Sequence, residues 1–172
     1  MVSTIFQCAQ LALTLSLTFL AGLASCFTLW VIPLLQLPQV PGRAKTAEFT
    51  QLFTWGAQYL QPSSQILGVS LATLACWSYL VARESGVWKY YVASFVILAP
   101  LAIWEVVYIF PINDRVKEMD DRLRVSEGAS LDAKEEEELK RLLQRWSAFH
   151  VARFAAPLIA GAITAVALVR TV

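Results

Sequence analysis

The sequence predicts an all-α integral membrane protein, a four-helix bundle with a charged helical hairpin between the third and fourth spans. Hydrophobic residues make up 57% of the 172 residues and charged residues only 16%, which is more apolar surface than a water-soluble domain of this length can bury. Four segments are apolar over roughly the 20 residues that a helix needs to cross a bilayer. The charges concentrate in residues 114–145, where ten acidic residues accompany eight lysines and arginines. We therefore expect a single membrane domain over residues 1–172.

The first span is expected over about residues 9–32, within a stretch that carries no charge before Arg43. Residues 23–26 are similar to a lipoprotein cleavage box, but the apolar run continues past them and no lysine or arginine precedes it. We therefore interpret this segment as a span and not as a signal peptide. Pro33, Pro38 and Pro41 are expected to end the helix, because proline lacks an amide donor and collides with the preceding turn.

Residues 47–61 are predicted to form an amphipathic helix in the membrane interface, ending before Pro62. Trp55 and Tyr59 flank its apolar face, so the helix is either an aromatic anchor or a lid over a cavity for a flat apolar ligand. The second span is expected over about residues 65–82 and the third over about 88–110, with a kink at Pro100. Glu105 lies inside the third span, where an ionisable side chain should face protein and not lipid.

The charged hairpin is predicted over about residues 112–146, and Ser130 or Asp132 is expected to cap its second helix. The fourth span is expected over about 147–170. Only 16 residues separate Arg153 from Arg170, about 24 Å of helix against a hydrocarbon core of about 30 Å. Either Arg153 extends to the interface from a short span, or the span begins earlier and takes His150 and Arg153 inside.

The polar residues at this boundary are the best candidates for chemistry. His150 is the one histidine in the chain, and helical spacing places it on the same face as Trp146 and Arg153. Asn113 and Asp114 close the third span where the fourth begins, so a hairpin brings Asn113 and His150 to a similar depth. A base, His150 or Asp114, beside such donors could remove a proton from a carbon acid and stabilise the resulting anion.

Each of these residues also has a purely structural interpretation. Trp146 is of a kind that anchors helices at the interface, and Arg153 could simply reach the headgroups. Asn113 could cap a helix end, and Glu105 could pair with another span. The residues alone leave both interpretations open.

Other chemistries find little support in the sequence. Cys8, Cys26 and Cys76 have neither metal-binding nor disulfide-framework spacing, and a single histidine does not favour a transition-metal site. The chain contains no glycine-rich phosphate loop and no dinucleotide fingerprint. A net charge of +1 disfavours a nucleic-acid partner. We therefore predict no cofactor, with recruitment of a metal between subunits left open.

Several short motifs are similar to those of the anthrone oxygenase family, which are small four-span membrane proteins of fungal aromatic polyketide pathways and their bacterial relatives. The motifs are Pro111-x-Asn113 at the end of the third span and Trp146-x-x-x-His150-x-x-Arg153 at the start of the fourth. The Trp30-x-x-Pro33 turn, the connection from Trp55 to Pro62 and the charged hairpin extend the resemblance over most of the chain.

The resemblance implies that molecular oxygen oxidises an anthrone to an anthraquinone without flavin, heme or metal. His150, or Asp114 acting with it, would take a proton from the central methylene carbon, while Arg153, Asn113 and Trp146 hold the resulting oxygen anion. Further substrate contacts are expected from aromatic and acidic residues of the spans: Trp30, Trp55, Trp104, Glu105 and Tyr108. The implied partners are an aromatic polyketide, oxygen and membrane lipid, with a homo-oligomer possible and an endomembrane location if the protein is fungal.

Two other functions remain open at the level of sequence. The chain could be a non-catalytic scaffold whose charged hairpin docks a soluble partner. It could also be a lipophile-binding carrier, although four spans without an internal repeat do not favour a transporter.

Overall fold

The computed structural model describes residues 4–126 and 128–171, and these residues contain helices and turns but no strand. The α-helices are α1 (Thr4–Cys26), α2 (Ile32–Leu35), α3 (Gly42–Ala82), α4 (Trp88–Leu98), α5 (Pro100–Trp104), α6 (Phe110–Val125) and α7 (Ala133–Val169). A π-helical turn at Phe27–Val31 joins α1 to α2, and a second at Glu105–Ile109 joins α5 to α6. A 3₁₀ turn, Arg83–Ser85, extends α3.

Four helical stretches are long and apolar enough to cross a membrane: Thr4–Leu35, Gly42–Ser85, Trp88–Val125 and Ala133–Val169. We call them the first to the fourth long helix. Large apolar side chains such as Phe19, Leu80 and Ile103 are exposed on them, as expected where a surface faces lipid. The predicted all-α class with four span-length helices is confirmed, and the chain is a multi-pass membrane protein. The limits of each span and the solvated hairpin stay predictions.

The breaks expected at Pro33 and Pro62 are absent. Pro62 lies inside α3, so the predicted amphipathic segment 47–61 and the second span form one continuous helix. Pro33 lies in α2, which ends at Leu35, so the helix ends before Pro38 and Pro41 as expected but not at Pro33. A proline removes one helical hydrogen bond and presses on the carbonyl four residues earlier. Helices in membranes nevertheless pass through proline, because neighbouring groups and local changes of pitch compensate.

The two π-helical turns are such changes of pitch. The Ile32 amide donates to the Phe27 carbonyl, and the Phe110 amide donates to the Glu105 carbonyl, each five residues back. Pro33 and Pro111 follow directly, in the first turn of the next helix. The wider turn relieves the collision between the proline ring and the preceding carbonyl. The first and third long helices therefore stay continuous, while the side chains after each π-helical turn take a new register.

Contacts divide the chain into two compact units. The first unit comprises Met1–Ala24, Gln61–Leu101 and Ala152–Val172, and the second comprises Ser25–Leu60 and Ala102–Val151. All four long helices contribute residues to both units. The prediction of one membrane domain over the whole chain stays a prediction.

Buried hydrogen bonds join three helices in the first unit. The Gln10 side-chain amide donates through its NH₂ group to the Tyr91 hydroxyl. Its side-chain oxygen Oε1 accepts from the Thr171 hydroxyl at 2.8 Å. One turn along α1, the Thr14 hydroxyl donates to that of Thr164 at 3.0 Å. Such bonds between membrane helices contribute about 0.6 kcal/mol each on average. Their main consequence is that buried polar groups of three helices are paired within the protein.

Apolar packing and ion pairs form the second unit. Its buried core includes side chains from all four long helices: Ile32, Leu35, Phe49, Ile109, Ile112, Val116, Met119, Leu123, Leu131, Leu139, Leu143 and Trp146. Beyond it, Arg115 Nε donates to Glu138 at 2.8 Å, linking α6 to α7. Asp132 Oδ1 accepts from the amides of Lys134 and Glu135 at 2.8 Å, and Glu135 accepts from the Asp132 amide. Of the two expected capping residues, Asp132 is thus confirmed as the cap.

We predict that Gly161→Leu destabilises the first unit whereas Gly22→Leu does not. A β-carbon at Gly161 would lie 3.0 Å from Thr18 Oγ1 and 3.5 Å from Leu17 Cβ, but one at Gly22 would meet nothing within 4 Å. Overpacking of this kind costs about 1–3 kcal/mol. Thermal unfolding of both variants in the same detergent measures the difference. Equal losses of stability would contradict the close approach at Gly161.

Candidate active site

His150 and Trp146 form the centre of the second unit. They lie four residues apart in α7, so helical periodicity places them one above the other on the same face. The imidazole stacks on the indole with ring centroids 4.2 Å apart and planes 17° apart. Both side chains are buried, Trp146 to 2% exposure and His150 to 0%. A titratable ring is therefore held against a rigid aromatic face, away from the protein surface.

Hydrogen bonds from two other long helices hold this pair. The Trp146 indole donates through Nε1 to Asn113 Oδ1 at 3.0 Å, and Asn113 belongs to α6 in the third long helix. Thr28 Oγ1 lies 3.1 Å from His150 Nδ1, and Thr28 belongs to the π-helical turn of the first long helix. The predicted convergence of Asn113 with the His150 face is thus present, with Trp146 as the residue that Asn113 contacts.

Two phenylalanines close the apolar sides of the pair. Phe27 approaches the His150 ring edge-on, with centroids 5.9 Å apart. Phe49, from α3, approaches Trp146 edge-on at 5.3 Å. All four long helices therefore contribute to the arrangement of Thr28, Phe27, Phe49, Asn113, Trp146 and His150, which we call the histidine cluster.

Sequence reasoning missed three members of the histidine cluster: Phe27, Thr28 and Phe49. Phe49 is an apolar residue of the predicted amphipathic segment 47–61, which was a signal that it is buried. Phe27 and Thr28 carried none beyond their nearness to the Trp30-x-x-Pro33 motif. Both residues lie within the π-helical turn, where the angular spacing of side chains departs from that of a regular α-helix.

A second aromatic group lies beside the histidine cluster. The Trp104 indole donates to the backbone carbonyl of Phe149 at 3.1 Å. Tyr108 lies against Trp104 with centroids 4.3 Å apart and against Phe149 at 5.1 Å. The Arg145 guanidinium lies 5.9 Å from the Phe149 ring. We call Trp104, Tyr108 and Phe149 the aromatic shelf; Tyr108 is 40% exposed, so the shelf reaches the protein surface.

The remaining predicted site residues lie elsewhere. Asp114 is exposed, because consecutive helical residues point about 100° apart and Asn113 is the one that faces Trp146. Trp30 and Trp55 are 68% and 57% exposed, as expected of residues that anchor a helix in the interface. The structure does not bring these three side chains into the histidine cluster.

Glu105 and Arg153 are both half-buried. Glu105 begins the second π-helical turn, one residue after Trp104 of the aromatic shelf. Arg153 follows His150 in α7 but belongs to the first unit. Their expected roles stay predictions.

A cavity of about 350 Å³ opens at the charged end of the second unit. Its lining includes Gln36, Lys45, Glu136, Glu137 and Lys140. Lys45 lies 3.7 Å from Glu136 and Lys140 lies 3.8 Å from Glu137. Ala133 and Leu143 add apolar surface to the lining, and none of the predicted site residues belongs to it.

Among the residues that the structure describes, no three His, Cys, Asp or Glu side chains lie together as a metal site requires. What the geometry defines is a small multi-pass membrane protein in which aromatic side chains and a hydroxyl surround one buried imidazole. The chain belongs to the anthrone oxygenase family, since the model of that family, described as anthrone oxygenase, matches residues 49–163. Comparison with curated proteins and with solved structures finds no match. The family predicted from short motifs is confirmed.

We predict that Asn113→Leu and Trp146→Phe are each destabilising but not additive. Asn113→Leu leaves the buried Trp146 N–H without its acceptor, which costs about 1–3 kcal/mol, whereas removing both partners of a hydrogen bond costs less. A double-mutant cycle tests this: the loss of stability on thermal unfolding is measured for the two single variants and for the double variant. A double variant that loses the full sum of both effects would argue against this hydrogen bond.

Proposed function

We propose that the protein is a membrane oxygenase that converts an anthrone-type aromatic polyketide to an anthraquinone with molecular oxygen. The observation that carries the proposal is the fully buried His150, stacked on Trp146 and hydrogen-bonded to Thr28. Membership of the anthrone oxygenase family supports an oxygenase role. We further propose that His150 is the general base, because Asp114 is exposed and lies outside the histidine cluster.

The proposed reaction begins with a proton transfer. The imidazole takes one of the two protons from the central methylene carbon of the anthrone, and the electron pair delocalises onto the carbonyl oxygen opposite. Conjugation makes this carbon acidic, so a base near neutral pKa can serve. The product of the step is an aromatic oxygen anion and an imidazolium.

Oxygen then reacts at the same carbon. The anion transfers electrons to molecular oxygen and a carbon–oxygen bond forms, giving a hydroperoxide after a proton returns. Loss of the second methylene proton and cleavage of the oxygen–oxygen bond produce the second carbonyl and release water. One oxygen atom enters the quinone and the other enters water. Because the substrate supplies every electron, the proposed chemistry needs neither flavin nor heme nor metal.

Asn113 is suited to stabilise the oxygen anion. Its carbonyl oxygen accepts from Trp146, and this orientation leaves its NH₂ group as the donor end of the amide. A donor fixed in advance near the position of developing charge is the largest contribution in many active sites. Arg153, one turn beyond His150 in the sequence, stays a candidate for the same role.

The aromatic shelf is suited to receive a flat ring system. Trp104 and Phe149 are held by a hydrogen bond, and the exposed edge of Tyr108 gives access from the protein surface. Aromatic side chains bind planar apolar ligands by offset stacking. We propose that the substrate arrives from the bilayer over this shelf; binding of lipid and assembly into a homo-oligomer stay predictions.

We predict that His150→Ala lowers turnover of an anthrone by about 10²–10⁴-fold, the usual contribution of a general base, whereas Asp114→Asn stays near wild type. Oxygen uptake and quinone absorbance in purified protein measure both, after subtraction of the spontaneous oxidation and with a chelator present. Full activity of His150→Ala would show that His150 is not the general base. A strong loss of turnover in Asp114→Asn would indicate that Asp114 is the general base.

We predict that Tyr108→Leu raises KM several-fold with a smaller effect on kcat. The change removes a stacking surface worth about 0.5–1.5 kcal/mol without touching the base. Tyr59→Leu, which removes an exposed tyrosine of α3, is the matched control. Equal effects of the two variants would argue against the aromatic shelf as a substrate site.

A further inference from the structure

The hydroxyl of Thr28 contacts a titratable ring on another helix. Threonines and serines in membrane helices commonly bond to the carbonyl one turn earlier in their own helix. Thr54 donates to the Thr50 carbonyl at 2.7 Å and Ser78 donates to the Leu74 carbonyl at 2.6 Å. The Thr28 hydroxyl instead lies 3.1 Å from His150 Nδ1, on another helix.

The π-helical turn explains this orientation. Thr28 is the second residue of Phe27–Val31, where the hydrogen bond from the Ile32 amide spans five residues to the Phe27 carbonyl. The wider turn brings the adjacent side chains of Phe27 and Thr28 to the same imidazole, Phe27 at its edge and Thr28 at Nδ1. Such turns are common at functional sites because they redirect side chains without ending the helix.

A partner at Nδ1 decides the chemistry of the other ring nitrogen. A neutral imidazole carries one proton, and the hydrogen bond at one nitrogen selects which nitrogen holds it. If the Nδ1–H group donates to Thr28 Oγ1, the lone pair is at Nε2, where His150 can accept a proton. If the hydroxyl donates to Nδ1, Nε2 carries the proton and His150 cannot act as a base there.

We propose that Thr28 is a positioning residue that holds His150 with its proton on Nδ1 and its basic lone pair on Nε2. The proposal rests on the proposed function of His150 as the base. In the imidazolium formed after proton transfer, Nδ1–H still donates to Oγ1, so the contact persists through the reaction without rearrangement. Thr28 lies outside residues 49–163, the range matched by the family model, so the assignment depends on the structure of this chain.

The single histidine makes the tautomer directly measurable. Protein labelled with ¹⁵N-histidine contains one labelled imidazole, and two-bond ¹H–¹⁵N correlation spectra distinguish a protonated from an unprotonated ring nitrogen. We expect the wild type to show a protonated Nδ1 and an unprotonated Nε2. Thr28→Val, which keeps the shape and removes the hydroxyl, should shift the proton to Nε2 or mix the tautomers. Thr28→Ser should restore the wild-type spectrum.

Activity should follow the tautomer. We expect Thr28→Val to lower kcat about tenfold, the population change that loss of one hydrogen bond allows, with KM little changed and recovery in Thr28→Ser. Thr54→Val is the matched control, because that hydroxyl bonds within its own helix. If Thr28→Val fails to fold, Thr28→Ala removes the same hydroxyl with less steric demand in the helix.

The outcomes separate this proposal from the proposed function. A wild-type spectrum with the proton on Nε2, or an unchanged spectrum in the hydroxyl-free variants, overturns the role of Thr28 even if His150→Ala abolishes activity. Full activity of His150→Ala overturns the proposed function, while the spectrum still reports whether Thr28 selects the tautomer. A tautomeric shift in Thr54→Val would also contradict a specific role of Thr28.

Discussion

The stacked pair of Trp146 and His150 is the interaction on which the second unit depends. Each ring carries a polar nitrogen that is costly to bury in an apolar environment without a partner. Asn113 accepts from the indole and Thr28 contacts the imidazole, so two other long helices must lie at defined heights beside α7. Phe27 and Phe49 then complete the packing around the rings. The hydrogen bonds to these two nitrogens thus position three long helices, and the packing of Phe49 against Trp146 adds the fourth.

The first unit follows the same constraint with different chemistry. Gln10 of α1 forms hydrogen bonds with Tyr91 of α4 and with Thr171, just beyond the end of α7, and none of these side chains is a strong base at neutral pH. The buried polar groups of the first unit are an amide and hydroxyls, whereas those of the second unit include an imidazole. This contrast is why we propose the histidine cluster for the chemistry and a structural role for the network around Gln10.

The prolines show how a local rule and the whole structure interact. Taken alone, Pro33 and Pro62 predict helix ends, yet α3 continues through Pro62 and a π-helical turn precedes Pro33. In a bilayer the helix is strongly favoured because no water can bond to a broken backbone. The chain therefore changes pitch instead of ending the helix, and the change at Phe27–Val31 orients Thr28 toward His150.

Composition and spacing by themselves determined the all-α membrane class, four span-length helices and the shared face of Trp146 and His150, and they limited the helix cap to Ser130 or Asp132. These properties depend on local chemistry, namely apolar length, capping side chains and the helical repeat. The hairpin order also predicted that Asn113 would lie close to that face. Only the tertiary structure decided that Asn113 and not Asp114 faces inward, that Trp30 and Trp55 lie at the surface, and that Phe27, Thr28 and Phe49 surround the rings. The reason is physical: which side of a helix becomes buried depends on its neighbours and on its pitch, and two π-helical turns shift that pitch where the periodicity of the sequence alone assumes a regular helix.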